Sequence, residues 1–506
     1  MGVKNKKSLF IFTAILVVSL ILLNLISRNL FFRLDLTDNQ RYSLSESSRS
    51  VVEKVDDLFT MKVYFSDNLP GEYGNNRRYL QDILEEYVAF SNGNIRFEFF
   101  KPETDKDLEQ DAQKSGIQPV QLQVVENDKV EIKRVFMGMI FLYEDQKEVI
   151  PVIQTTAGLE YEITTRIKKL VDTDKKVIGI TSLADDDVKT ENVRMALSQR
   201  YKVNPVNLDD PVSDEITTLI LSGTKDSLST GVRKNLEVFV ARGGNVLIAQ
   251  AGVQTDIQTQ QASAIESDVF DLLRQYGLNI QPNLVMDRKC GRVSVQQNMG
   301  FIRMNVPMEY PFLPIVQTFN DVESVVSGLE QLQLLFPSEI VINDSLLKTG
   351  NNSVTSLFTS SNRSGTMSGS FVLNPDPKRN PAFHSLNEKG KVLAARSEFT
   401  NEKTNLLSQI ILVADSKFLA DDGGGASPEN QIFTMNAVDY LTGDSELISL
   451  RSREITSRPL GETEDDVRSR WKWMNMVLPS LLIIGFGFFR MKKERKRAKV
   501  LEEIYG

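Results

Sequence analysis

Three consecutive carboxylates, Asp185, Asp186 and Asp187, follow the buried-strand pattern KKVIGIT (Lys175 to Thr181), and a fourth, Asp287, closes NIQPNLVMD. Hard cations take oxygen ligands, so acids gathered at strand ends are candidate ligand-binding positions. The simpler use of the same triplet is a solvated loop that caps the following helix. Other reactive side chains are scarce. The chain has one cysteine, Cys290, and one histidine, His384. That excludes an intrachain disulfide, a CxxC redox pair and any multi-Cys/His zinc site. A Ser-His-Asp mechanism would have to run through His384, which lies in the loop-like stretch NPDPKRNPAFHSLN and reads as a surface residue. Cys290, in DRKCGR, reads as an inert thiol, because reactivity needs a depressed pKa. SGTKDS (Ser222 to Ser227) contains Gly-Thr-Lys but not the phosphate-loop spacing, which excludes a P-loop ATPase. A net charge of -8 with no basic stripe mid-chain argues against nucleic-acid binding.

The elements that would position these residues form two groups. From Met61 to Val171 the pattern reads strand (MKVYFS), helix (Arg77 to Phe90), strand (NIRFEFFK), weak helix (Asp105 to Ser115), three strands (VQLQVV, VFMGMIFLY, KEVIPVI) and helix (Gly158 to Val171). This order predicts a thioredoxin-like α/β layer without its CxxC. A second group begins at KKVIGIT and alternates strands with helices through TLILSG, Ser229 to Arg242, NVLIAQ and Ser267 to Leu278. Gly243 suits a left-handed cap after its helix, and Gly244 lets the chain turn back to the sheet. Alternation of this kind predicts a doubly wound parallel sheet of flavodoxin-like or class I amidotransferase-like type, with ligands at the carboxyl ends of its strands. Those ends carry SLADDD, SGTKDS and AQAG. The pattern weakens from Arg292 to Asn405, and the polar run from Asn351 to Ser370 reads as a flexible loop. It returns with QIILVADSKFLADD and a helix from Pro428 to Leu441.

Two apolar runs flank this body. Leu9 to Ile26 carries no charge and follows Lys4, Lys6 and Lys7; Trp473 to Phe489 precedes Arg490, Lys492, Lys493, Arg495, Lys496, Arg497 and Lys499. Each is long enough to span a bilayer, and the basic flanks place both termini in the cytoplasm. Between the first span and the body lies RLDLTDNQRYSLS (Arg33 to Ser45). It reads as a strand–turn–helix joint, with Ser43 and Glu46 at capping-box spacing. The expected organisation is a cytoplasmic tip and span (1–30), a thioredoxin-like domain (31–172), a flavodoxin-like domain with a flexible loop near 351–370 (173–446), a connector (447–470), a second span (471–490) and a basic cytoplasmic tail (491–506).

RLDLTDNQRYSLS, MKVYFSDNLP, GLEYEITTRIKKL, RGGNVLI, YGLNIQPNLVMD, ILVADSKFLADD and NAVDYLTGDSELISLRSREITSRPL occur in this order across nearly the whole chain. In this the sequence resembles the GldG-type auxiliary proteins of ABC transport systems, associated with bacterial gliding motility. The resemblance implies a non-enzymatic periplasmic body held in the inner membrane beside an ABC-2-type permease and a cytoplasmic ATPase, with no cofactor and no catalytic residues. Where the family often has Asp-Pro after the RGG strand, this chain has Gln250 and Ala251. A homo- or heterodimer is left open. Two other classes remain: a glycan- or peptide-binding protein, and a hydrolase using Asp185, Asp186, Asp187 and Asp287.

Overall fold

The computed structural model describes residues 43–451 and 465–505, except 68, 70, 127–128, 173–174, 184–187, 300–301, 343–351, 402–403, 445–446 and 449, together with 10, 12, 13 and 15–19. The first apolar run and residues 33–42 of the joint therefore lie largely outside the described residues. The chain divides into two compact units, residues 1–456 and 457–506.

Within the first unit, a four-stranded sheet runs in the order Ile95–Phe100, Phe59–Phe65, Met137–Tyr143, Gln146–Ile150. The first pair is parallel and the other two are antiparallel. Strand alternation splits its side chains between two faces. Phe59, Met61, Val63 and Phe65 meet Leu80, Ile83 and Leu84 of the helix Gly71–Phe90 and Ile163 and Ile167 of the helix Leu159–Val171. Tyr64, on the other face, packs with Ala112 and Ile117 around the helix Lys106–Lys114. Helix Gly71–Phe90 begins six residues before the expected start at Arg77, and Val120–Glu126 pairs with a further strand, Lys129–Val135, as a hairpin.

The eight-stranded sheet that follows is mixed. Its parallel part runs Lys202–Pro205, Val177–Ser182, Ile216–Ser222, Asn245–Ala249, Leu407–Val413. Val392–Thr400, Asn352–Thr359 and Thr318–Phe319 extend it antiparallel. Ile216–Ser222 is buried along nearly its whole length, as a strand covered on both faces must be. One face packs on Phe433, Ala437 and Val438 of the helix Pro428–Leu441. The other packs on Leu236, Phe239 and Val240 of the helix Thr230–Ala241 and on Leu272 and Leu273 of the helix Val269–Gln275. Gly243 takes φ +94, the left-handed conformation expected after its helix.

Two expectations fail here. The run Asn351 to Ser370 contains not a flexible loop but two strands. Asn352–Thr359 is hydrogen-bonded on both sides in the large sheet, and Ser364–Ser368 pairs with Asn283–Asp287. Backbone pairing, which composition does not report, sets their structure. The helix after the joint is capped by Ser45, not Ser43: it spans Glu46–Glu53, and the Ser48 amide donates to Ser45 Oγ at 3.1 Å. Glu46 is thus the first helical residue, too early to close a capping box.

The described residues of the second unit form one helix, Asp465–Tyr505, continuous through Pro479. Its stretch Asp466–Lys496 is long and apolar enough to cross a membrane.

Candidate functional site

Every parallel strand of the large sheet ends toward the same side, so their trailing loops converge. Val188, Thr224, Lys225, Ala251, Gln254, Phe336 and Asp415 are among the residues lining the cleft they form, a cavity of about 210 Å³. The apolar wall is Val253, Ile265, Leu335 and Phe336; Thr224, Thr255 and Ser416 supply hydroxyls, and Lys225 and Lys417 supply positive charge.

Gln250 builds one side. Its side chain is fully buried, with Oε1 accepting from the Thr224 amide at 2.7 Å and Nε2 donating to the carbonyls of Thr224 and Ala251 at 2.9 and 2.8 Å. The loop can approach so closely because residue 223 is glycine: a Cβ there would lie 2.4 Å from Gln250 Oε1. Gln250 thus holds the SGTK loop through both polar ends of its amide and keeps one further bond to its own loop at Ala251.

Asp415 builds the floor. It follows the strand Leu407–Val413 and is fully buried. Its two oxygens accept from the Leu335 and Lys417 amides, each at 2.8 Å. Burial pushes its carboxyl up to about 7, against the pull of those two donors and of the Lys417 charge. Such a group changes between proton donor and pure acceptor near neutral pH. Beside it, Phe336 holds φ +53, a left-handed conformation that bulky side chains rarely adopt. Strain of this kind persists where surrounding structure fixes it, often at ligand sites.

Of the acids singled out from sequence, Asp287 is described and does not line this cleft. Asp185, Asp186 and Asp187 fall outside the described residues. Asp287 is buried, and its carboxylate accepts from the Ser361 amide, the Ser361 hydroxyl and the Lys289 amide at 2.5, 2.6 and 2.9 Å. It pins the turn before Ser364–Ser368. His384 is exposed at the end of the short helix Pro381–His384. Burial, reinforced by Glu309 and Asp287, pushes the Cys290 thiol up to about 11, so it stays protonated. Among the described residues no group of three or more His, Cys, Asp or Glu is placed to hold a metal ion. The residue that sequence reasoning missed is Asp415. Its signal was legible, an acid directly after a buried strand in ILVADSK.

A second polar assembly joins the two sheets. The helix Leu159–Val171 carries Glu160, 5 % exposed, which accepts from the Ser45 amide at 2.8 Å and the Ser48 hydroxyl at 2.7 Å. The adjacent Tyr161 hydroxyl accepts from Arg451 at 2.9 Å. Arg451 also donates to Asn436 and, at 2.9 Å, to Asp439, which is fully buried and further bonded by Arg200 and the Tyr201 hydroxyl at 2.8 and 2.7 Å.

A family profile described as an ABC-type uncharacterized transport system matches residues 175–442, which contain the whole cleft. The chain belongs to this family, the GldG-type auxiliary proteins of ABC transport systems. A second profile, a domain of unknown function (DUF7088), matches residues 38–142 of this auxiliary protein. An uncharacterized protein of Borreliella burgdorferi is 22% identical over 489 residues, covering 92% of this chain and 94% of its own. Among solved structures, the mmIFT52 N-terminal domain matches with a TM-score of 0.34 and 11% identity, over 52% of this chain and 97% of its own. A ThuA-like protein from Bacteroides uniformis matches with a TM-score of 0.30 and 10% identity, over 53% and 92%.

Proposed function

We propose that this auxiliary protein is a non-enzymatic, doubly anchored subunit of the bacterial inner membrane. Its body lies in the periplasm and both termini in the cytoplasm, and it couples an ABC-2-type permease and its ATPase to cargo or envelope partners, in gliding motility as in the relatives it resembles. The body comprises a thioredoxin-like domain, whose sheet has a parallel pair at one edge followed by two antiparallel pairings, and a flavodoxin-like domain built on the five parallel strands. The observation that carries the reading is the convergence of the two ends of the body. The helix following the first apolar run and the segment Leu447 to Arg451 preceding the second bond to adjacent residues of one helix, through Glu160 and Tyr161. A displacement at either end then reaches both sheets through buried contacts. Affinity isolation of the full chain from detergent-solubilised membranes should recover a polytopic permease and an ATPase. Recovery of this protein alone, while other transporters stay assembled, would overturn it.

The cleft supports a second role within the same complex, capture of a small ligand such as a glycan or peptide fragment, because a fully buried Asp415 and a strained Phe336 line one cavity. Thermal shift of the full chain with candidate glycans and peptides tests it, since a ligand specific to the folded state raises the melting temperature.

A further inference from the structure

A different pocket, remote from the cleft, lies where the two sheets meet. Its cavity is about 70 Å³, room for a compact group several water molecules in size. It takes Thr165, Lys168, Lys169 and Asp172 from the helix Leu159–Val171 and its cap, Lys175 and Lys176 from the chain entering the large sheet, and Arg200, Tyr201 and Asp444 from beyond it. Five of these residues are cationic and two are acidic; Arg200 is paired with the buried Asp439 and Lys169 with Glu148, which leaves Lys168, Lys175 and Lys176 facing Asp172 and Asp444.

The helix C-terminus explains part of this. Its partial negative charge favours Lys168 and Lys169 in the last turn. It explains neither Lys175 and Lys176 nor Thr165. The Thr165 side chain is 8 % exposed, lines the cavity, and its hydroxyl oxygen has no hydrogen-bond partner. A buried hydroxyl without a partner is costly, and such groups ordinarily find one. Lys175 has no bonded partner among the described residues. Lys168 and Lys176 each give Asp444 one hydrogen bond, both at 3.1 Å. An ammonium has three N–H donors, so Lys176 keeps one after a further bond to the Thr442 carbonyl at 2.7 Å, and Lys168, which also faces the Asp172 carboxylate at 3.7 Å, keeps at least one.

We propose that this pocket is a binding site for a single phosphoryl group, held by the Lys168, Lys175 and Lys176 ammoniums with the Thr165 hydroxyl as donor. Because the donors come from both sides of the junction, the bound anion stiffens the connection between the two sheets. Inorganic phosphate and the headgroup of an anionic phospholipid present the same chemistry.

The full chain in zwitterionic detergent micelles is titrated by thermal shift with inorganic phosphate, and separately with short-chain phosphatidylglycerol. Sodium chloride at matched ionic strength removes screening effects, and short-chain phosphatidylcholine controls for the lipid itself. Phosphate or phosphatidylglycerol should raise the melting temperature saturably. Lys175→Glu should weaken that response about tenfold, the loss of one charge-assisted hydrogen bond. Thr165→Val, which keeps the shape, should leave the anion-free melting temperature unchanged or higher while weakening the response severalfold. A response to phosphate alone assigns the site to the free anion, and one to phosphatidylglycerol alone assigns it to lipid. No response to either, or an equal response in wild type and both variants, overturns the proposal. Lys175 is exposed, so its replacement leaves the fold intact, and Thr165→Val decides the question independently.

Discussion

Asp439 and Asp415 are both fully buried in the same lobe of the molecule, yet their surroundings differ in kind. Asp439 meets two guanidiniums and a phenol, from Arg200, Arg451 and Tyr201. Its charge is matched, and the three donors come from separate parts of the chain. Asp415 receives two backbone amides, its neighbour Lys417 turns its ammonium to Asp422 at 3.0 Å, and the carboxyl rises to about 7. A paired buried charge fixes geometry, because removing either partner is penalised heavily. An underpaired one stays responsive to protons or ligands. Pairing therefore holds the junction rigid, and underpairing leaves the cleft carboxyl able to change protonation near neutral pH.

The strongest way to break this contrast is Asp439→Ala. It strands two buried guanidiniums and should cost about 3–5 kcal/mol of stability, read by urea denaturation of the full chain in detergent. A loss below about 1 kcal/mol would mean the cluster is solvated and carries no position.

Asp415 gives a smaller effect with a distinctive pH signature. Its carboxyl titrates near 3.8 when unfolded and near 7 when folded. The folded state therefore holds the proton more tightly. The contribution of Asp415 to stability is complete below about pH 4 and is lost as pH rises through 7, by a few kcal/mol at most. Asp415→Asn removes this limb. The variant should be less stable than wild type at pH 5, where it has lost one of the two amide contacts, and the gap should narrow by pH 8. Melting temperatures at the two pH values check this; a gap that stays constant would show that Asp415 does not titrate in this range.

The smallest effect separates the two serines of the joint. Ser45→Ala should cost about 1 kcal/mol by removing the helix cap, whereas Ser43→Ala leaves that cap in place. Denaturant midpoints of the two variants compare them directly, and equal losses would return the cap to an open question.

The parts of the fold that were legible in the sequence are those where one side-chain pattern dictates one structure. Pro428–Leu441 and Thr230–Ala241 appear where helical spacing and caps placed them. Ile216–Ser222 reads as a buried strand because of its unbroken apolar run Leu219, Ile220, Leu221. Asn352–Thr359 was illegible for the opposite reason: NSVTSLFT is mostly polar, and its strand exists because Val392–Thr400 and Thr318–Phe319 offer it hydrogen-bonding edges. Asp439 was hidden in a helix whose polar members Asn430, Thr434, Asn436 and Asp439 are buried alongside its apolar ones. Their partners Arg451, Arg200 and Val325 are distant in sequence, so no local pattern announces them. The cleft was partly legible. Its place at the strand ends follows from the alternation of elements, but Asp415, the acid that the described residues place in its lining, was not among those singled out by type.

Glu160 and Tyr161 are neighbours, yet one holds the beginning of the body and the other its end. In the language of chain topology the body is a nearly closed ring whose two free ends meet at one clasp. Such a ring tolerates reconnection. A permuted body in which a short linker joins residue 451 to residue 43, with new ends opened at an exposed turn, keeps every bond at the clasp. The same closure means that a pull at residue 43 and a pull at residue 451 load one helix at adjacent residues, rather than opposite ends of the body.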